Sequence, residues 1–361
     1  MWQMLYFGVG GEFVARASEK MGRIVLLLSV LVPIMAPRVV FGSLLNLGAE
    51  QLVQAGGSAI SVTGYSVPSY VDWNKDGRKD LVVGEGPDFF GMGKVRVYLN
   101  SGTASNPEFT DYVYAQSGGG DLAVPASACQ GAFARVSYWD GDSLKDLLVG
   151  RSDGTVACFT NTGSDTNPTF DGGTMLQVGA AGSKVNIDVG SRATSTVVDW
   201  DNDGLKDLVI GALDGRIGVF LNEGTNSEPD FVAETFVQED GSNLVVPSGR
   251  SSPVIADLDG DGMKDVLTGN TNGQLLFYSN VGTNAAPIFS GYTLIEADGI
   301  AIDLAGTPRS RPFLCDWTGD GNLDVLIGAQ DGQVHLYQGV PEPATICLIG
   351  LGGLALLRRQ R

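Results

Sequence analysis

Carboxylates recur in this chain at a spacing suited to wrapping a cation. The stretch Asp199-Trp-Asp-Asn-Asp-Gly-Leu-Lys-Asp207 places oxygen-bearing side chains at positions 1, 3, 5 and 9 and glycine at position 6. It returns as VDWNKDGRKDLVVG from Val71, SYWDGDSLKDLLVG from Ser137, ADLDGDGMKDVLTG from Ala256 and CDWTGDGNLDVLIG from Cys315. A hard cation such as Ca²⁺ takes six to eight oxygens at roughly 2.3 to 2.6 Å, and glycine permits the tight turn that aims alternate side chains inward. The carbonyl of position 7, Leu205 in the third loop, would add a further ligand. The competing reading is that Asp and Gly are good turn formers with no ion bound; five copies with one carboxylate spacing favour the ion.

The elements around the loops follow from what comes next. An EF-hand places its last ligand at position 12 between amphipathic helices. Here each loop runs directly into a short apolar stretch, such as Leu208-Val-Ile, and then a glycine. The loops therefore join strands. Asp153-Gly, Asp214-Gly, Asn272-Gly and Asp331-Gly follow, each leading into a second apolar or alternating strand, which is a strong hairpin signal. Four units continue with an Asn-x-Gly to Pro-x-Phe segment, running from Asn100 to Phe109, Asn161 to Phe170, Asn222 to Phe231 and Asn280 to Phe289. With the strand that leads into each loop, every unit has four strands.

The ninth positions, Asp80, Asp146, Asp207, Asp265 and Asp324, are separated by steps of 66, 61, 58 and 59 residues. Four-stranded units of this length, each with edges that only a neighbour can cover, predict an all-β fold, a single β-propeller of five four-stranded blades over residues 43–339. The fifth unit stops at Gly339 without its outer half, while residues 44–67 read like that half. We expect the N-terminal strand to complete the last blade and close the ring, which removes free edges.

The units resemble the FG-GAP or VCBS repeats of integrin-type propellers. That resemblance implies calcium as the cofactor, held by Asp72, Asn74, Asp76 and Asp80 in the first loop and by Asp199, Asp201, Asp203 and Asp207 in the third. In the fourth it implies Asp257, Asp259, Asp261 and Asp265. Two loops depart from the pattern. The second has Tyr138 at position 1 and Ser143 in place of glycine, leaving Asp140, Asp142 and Asp146; the fifth has Thr318 at position 3, leaving Asp316, Asp320 and Asp324 and an expectation of weaker binding. Trp73, Trp139, Trp200 and Trp317 occupy position 2, with Leu258 in the fourth loop. Such a ring is either a platform for stacking sugars or packing between blades, and a fixed structural position favours packing.

The ends carry other chemistry. Residues 1–42 read as a leader: Met21-Gly-Arg23, a mostly apolar run to Pro37 and small residues at 40–42 resemble a secretory signal, with Met21 a candidate start. Residues 340–361 hold Val340-Pro-Glu-Pro343, an uncharged apolar run over 344–357 and Arg358-Arg-Gln-Arg361. This resembles the PEP-CTERM sorting signal, which implies a transient membrane tether, processing by an exosortase-type enzyme and a Gram-negative-type bacterial surface. Fourteen residues of helix reach about 21 Å, short of a hydrocarbon core of roughly 30 Å. Short hydrophobic helices are expected at both ends.

Composition limits the partners. Of 361 residues 43% are hydrophobic, enough for a large core, and 51 are glycine, which fits a turn-rich chain; the net charge of −18 opposes a nucleic-acid partner. A Cys129 to Cys158 disulfide and free buried thiols are both open. The one histidine, His335, lies in an alternating strand and reads as a blade residue rather than a base. The expectation is an exported, calcium-stabilised, non-catalytic module at the cell surface or in an extracellular matrix, binding a polysaccharide or a surface protein. A polysaccharide hydrolase or lyase on the same scaffold is the alternative, since a catalytic carboxylate pair is set by spatial separation rather than by sequence.

Overall fold

The computed structural model describes residues 45–127, 131–304, 306 and 308–341, and among these every regular element is a β-strand. Five sheets share one plan. The first takes Val67–Val71, Asp80–Gly84, Met92–Tyr98 and Val113–Tyr114, and the second Phe133–Ser137, Asp146–Gly150, Val156–Phe159 and Thr174–Met175. The third takes Thr194–Val198, Asp207–Gly211, Ile217–Phe220 and Thr235–Phe236; the fourth takes Ser252–Ala256, Asp265–Gly269, Leu275–Tyr278 and Thr293–Leu294. The fifth takes Arg311–Cys315, Asp324–Gly328 and Val334–Tyr337, and its outer strand is Gln51–Leu52, which pairs antiparallel with Val334–Tyr337. Neighbouring strands within these sheets are antiparallel, so the loop between the first and second strand leaves every sheet at the same end.

The first strand of each sheet packs on the first strand of the next, and Arg311–Cys315 packs back on Val67–Val71. The sheets therefore close into a propeller ring around these inner strands. Five hydrophobic clusters fill the spaces between neighbouring sheets. Side-chain alternation explains the continuous apolar runs: Leu208 and Ile210 face the second sheet, while Val209 faces the fourth. A strand covered on both faces has no polar side to display.

Glycine ends each second strand because the next sheet leaves no room for a side chain. A Cβ on Gly84, Gly150, Gly211, Gly269 or Gly328 would come within 2.0 to 2.4 Å of the carbonyl oxygen of Ala132, Ala193, Ser251, Ser310 or Ser66, respectively. The last of these approaches joins the fifth sheet to the first.

The tryptophans are core. Trp73, Trp139, Trp200 and Trp317 are at most 9% exposed, and each meets the Pro-x-Phe phenylalanine of an adjoining sheet, with centroids 5.8 Å apart for Trp73–Phe170 and 6.2 Å for Trp139–Phe231. Trp200 meets Phe289 and Trp317 meets Phe109 in the same way. Leu258 breaks the pattern for a reason visible only in the folded chain. The cluster that holds it contains no Pro-x-Phe phenylalanine but buried Leu47 of the N-terminal segment. Leu47 bridges Ala297 in parallel, as Phe289 bridges Glu239 and Phe231 bridges Val178, so it stands in the phenylalanine position of the fifth unit.

The leader (1–42), the hydrophobic segment 344–357 and the helices expected at both ends lie outside the described residues. Among the described residues no helix is long and apolar enough to cross a membrane. Cys158 and Cys315 are free thiols, which settles the open choice for Cys158; Cys129 lies outside the described residues.

Candidate metal centres

Each acidic loop is pinned by its last residue. The ninth aspartate opens the second strand and pairs with the residue before position 1, as in Val198↔Asp207 and Ala256↔Asp265. Asp80, Asp146, Asp207, Asp265 and Asp324 are all buried. Each accepts one backbone N–H from position 2 and a second from a residue after the third strand: Trp200 at 2.7 Å and Asn222 at 2.8 Å for Asp207, Leu258 at 2.9 Å and Asn280 at 2.8 Å for Asp265. Asp80 and Asp146 bind Trp73 with Asn100 and Trp139 with Asn161; Asp324 binds Trp317 and, where the fifth unit has lost its Asn segment, Gly339. Burial pushes all five carboxyls up from the ordinary range, Asp265 to about 6, against the opposing pull of those N–H groups.

The first aspartate shapes the turn. Asp72, Asp199 and Asp316 each accept the N–H groups of positions 5 and 6, and Asp257 those of positions 4 and 6. Position 6 takes a positive φ in every loop, 91° at Gly204 and 71° at Ser143. Position 4 does so too, at Lys75, Gly141, Asn202, Gly260 and Gly319, a second backbone demand that the recurrence of glycine and asparagine there reflects. A serine at φ 71° carries a strain that glycine avoids.

The carboxylates converge in three loops. Asp140, Asp142 and Asp146 in the second, Asp199, Asp201 and Asp203 in the third, and Asp257, Asp259 and Asp265 in the fourth each offer oxygens within 4.8 Å of one another. The second loop gathers its three carboxylates despite lacking an aspartate at position 1. In the third loop Asp207 stands outside the close group, as does Asp261 in the fourth, where it accepts the N–H of Met263 at 2.8 Å. In the first loop Asp76 is drawn to Arg78 at 2.5 Å, a hydrogen bond that holds its carboxyl down at about 2, and Asn74 donates to it as well. In the fifth, Asp316 and Asp320 bind backbone N–H groups of their own turn. The donor sets are all oxygen, which suits a hard cation, and gathered carboxylates repel one another unless a cation lies among them.

Two further sets of residues hold these loops, and repetition in the sequence could have revealed both. Asn226 accepts the N–H of Lys206 at 2.7 Å and donates to the Gly204 carbonyl at 2.9 Å; Asn284 does the same for Lys264 and Gly262. Two of the position-8 lysines reach back to the adjacent sheet, while Lys145 instead pairs with Asp165 of its own unit. Lys206 donates to the Trp139 carbonyl at 3.0 Å and Lys264 to that of Asp199, each belonging to the loop of the preceding sheet.

His335 is occupied structurally. Its Nδ1 meets Glu50 at 2.6 Å and its Nε2 meets Asp331 at 3.4 Å, with the side chain 5% exposed. It thereby ties the N-terminal segment to the fifth sheet.

Comparison with known proteins agrees with the repeat pattern. Residues 199–268 match the FG-GAP-like repeat, and residues 339–361 match the PEP-CTERM protein-sorting motif. Integrin alpha-4 of Xenopus laevis is 29% identical over 153 residues, a match that takes in 38% of this chain and only 14% of the integrin. The catalytic domain of the Coprinopsis cinerea GH62 alpha-L-arabinofuranosidase has 13% identity and a TM-score of 0.49, over 82% of this chain and 98% of that one. A GH62 hydrolase in complex with xylotriose follows at 10% identity and 0.47, over 83% and 99%. Likeness at these values says nothing of function. The chain carries an FG-GAP-like repeat and ends in a PEP-CTERM sorting motif, which implies export, membrane-anchored sorting in Gram-negative bacteria and processing by an exosortase, a membrane enzyme.

Proposed function

We propose that this protein is a calcium-stabilised propeller that acts, once exported, as a non-catalytic binding or structural module at the cell surface or in the extracellular polysaccharide matrix, with a polysaccharide or a surface protein as its partner. The observation that carries the reading is the convergence of three carboxylates in each of three loops, all leaving their sheets at one end of the ring. Asp140, Asp142 and Asp146, Asp199, Asp201 and Asp203, and Asp257, Asp259 and Asp265 would hold the ions. Bound calcium supplies charge neutralisation there and fixes the turns that join the inner strands to the second strands. The buried ninth aspartates hold each turn to its own sheet through backbone N–H groups, so metal occupancy and sheet packing are coupled.

The polysaccharide-active enzyme remains the alternative to be separated by assay. The test is to pass the purified protein, with calcium and with chelator, over immobilised acidic and neutral polysaccharides and to measure reducing ends released. Calcium-dependent retention without release is the expected result. Release of reducing ends would overturn the non-catalytic reading, and equal melting curves with calcium and with chelator would overturn the metal assignment.

A further inference from the structure

The strongest unexplained feature lies on the axis of the ring, at the end away from the acidic loops. Position two residues before the inner strand is Arg192 in the third sheet, Arg250 in the fourth and Arg309 in the fifth, each with a positive φ of 58°, 64° and 79°. Arg311 opens the inner strand of the fifth sheet, and Arg135 lies within that of the second. Arg192 and Arg311 are fully buried, at 0% exposure. Their guanidinium carbons lie 5.3 and 5.5 Å from the ring of Phe133, and those of Arg309 and Arg311 lie 4.9 and 4.5 Å from the ring of Tyr65.

Like charges gathered in a dry place call for an opposite charge. Arg78, Arg96, Arg151 and Arg216 pair with carboxylates, whereas Arg135, Arg192, Arg309 and Arg311 make no ion pair among the described residues. Part of each group is satisfied: Arg192 donates to the Ser251 carbonyl at 2.9 Å and to Ser252 Oγ at 2.7 Å, and Arg311 to the Arg309 carbonyl at 3.1 Å. Other donors are not. Nε of Arg192, Nε of Arg309, Nε and Nη2 of Arg311 and the Tyr65 hydroxyl are buried without a hydrogen-bond partner. A buried donor left unmade costs about 1–3 kcal/mol, and more when charged. Burial, and then repulsion from Arg250, Arg309 and Arg135, pull the guanidinium of Arg311 down to about 9.

We propose that this axial cluster is an oxyanion site, in which Arg192, Arg309, Arg311 and the Tyr65 hydroxyl donate to a carboxylate or sulfate group. Planar guanidinium forks match such groups with paired hydrogen bonds, and stacking on Tyr65 and Phe133 fixes their planes. The five-residue inner strand separates the cluster from the acidic loops by on the order of 15 Å, so the two ends of the ring carry opposite charge chemistry. The site is independent of the calcium reading, and of which polymer, if any, the protein binds.

The experiment is titration of the full chain, calcium-loaded and at constant ionic strength, with sodium sulfate and sodium glucuronate, using chloride and glucose as controls, read by calorimetry and by melting temperature. Sulfate or glucuronate is expected to bind saturably and to raise the melting temperature by several degrees, with chloride and glucose inert. Arg309→Gln, at the more open edge of the cluster, is expected to weaken binding at least tenfold while the anion-free melting temperature stays level or rises; Arg192→Gln serves as the second variant. Binding of both anions would identify a general oxyanion site, and binding of glucuronate alone a sugar-acid site. No saturable binding of either anion, or unchanged affinity in both variants, would overturn the proposal.

Discussion

The space between the fourth and fifth sheets differs from the other four, and the difference shows how the ring closes. Elsewhere a position-2 tryptophan meets a phenylalanine from an adjoining sheet; here Leu258 and Leu47 share one buried cluster. Two large rings are replaced together by two smaller aliphatic groups, one from a loop late in the chain and one from a segment that precedes every repeat. The lysine contacts seen at the two preceding spaces, from Lys206 and Lys264, have no counterpart here, because position 8 of the fifth loop is Leu323, 40% exposed. What holds this space is chain closure: Gln51–Leu52 on the outer edge of the fifth sheet, and the ion pairs of His335 with Glu50 and Asp331. Where the chain begins and ends within one sheet, packing partners come from distant sequence and are chosen as a pair.

The largest test of that comparison is at the rings themselves. Trp139→Ala should cost about 3–5 kcal/mol and Leu258→Ala about 2–3 kcal/mol in chemical denaturation, because the smaller side chain leaves the smaller cavity. Leu258→Trp should also destabilise, by about 1–3 kcal/mol, since Leu47 leaves no pocket of the other kind, and Leu47→Ala should partly rescue it; additive effects in that double mutant would break the pairing. Next come the glycines. Gly150→Ala and Gly328→Ala should each cost about 3 kcal/mol, the added carbon meeting Ala193 or Ser66 carbonyl oxygen. A tolerated Gly328→Ala beside a damaging Gly150→Ala would mean that the fifth and first sheets do not meet as closely as the others.

Calcium removal should lower stability by about 2–3 kcal/mol for ion held at one hundred times its dissociation constant. Asp203→Ala, which removes a member of a converged group, should abolish more of that difference than Asp76→Ala, whose carboxylate is already paired with Arg78. Isothermal titration with calcium distinguishes the two. The lysine latches are worth less. Lys206→Met should cost about 1 kcal/mol through the lost bonds to neighbouring carbonyls, whereas Leu323→Lys should stabilise the closing space by up to about that amount.

The smallest effect follows pH. Burial pulls His335 down, but hydrogen bonds and charge from Asp331 and Glu50 more than offset it, holding the imidazole above its ordinary value near 6.5. A raised folded value means that protonation stabilises the fold. The advantage of the native chain over His335→Gln should be complete below about pH 6 and fade as pH rises through the folded value. Unfolding midpoints measured from pH 5 to pH 8 would show it; a gap that widens with pH would remove His335 from the closure.

Much of this was legible in the residue order because the determinants are local. Position 6 glycine, Asp-Gly hairpins, apolar runs and the Asn-x-Gly segment each act within a few residues, and their recurrence fixes the number of equivalent units. Which loops gather their carboxylates was less legible. Ser143 and Tyr138 weaken the pattern of the second loop, yet its carboxylates gather, while Arg78 at position 7 of the first loop takes up Asp76, an outcome set by rotamer reach rather than by the carboxylate spacing.

Sequence by itself determined that strands would pair into hairpins around repeated acidic turns, since backbone geometry and side-chain alternation act over short distances. Only the tertiary structure decided that Leu47 and Leu258 would be partners and that Arg192, Arg309 and Arg311 would share one axis. The arginines at 192, 250 and 309 do recur at the repeat period, but a period places residues in equivalent positions without saying which of those positions meet. Ring closure supplies that: it turns equivalent positions on successive sheets into neighbours around a centre, where their charges must be balanced together.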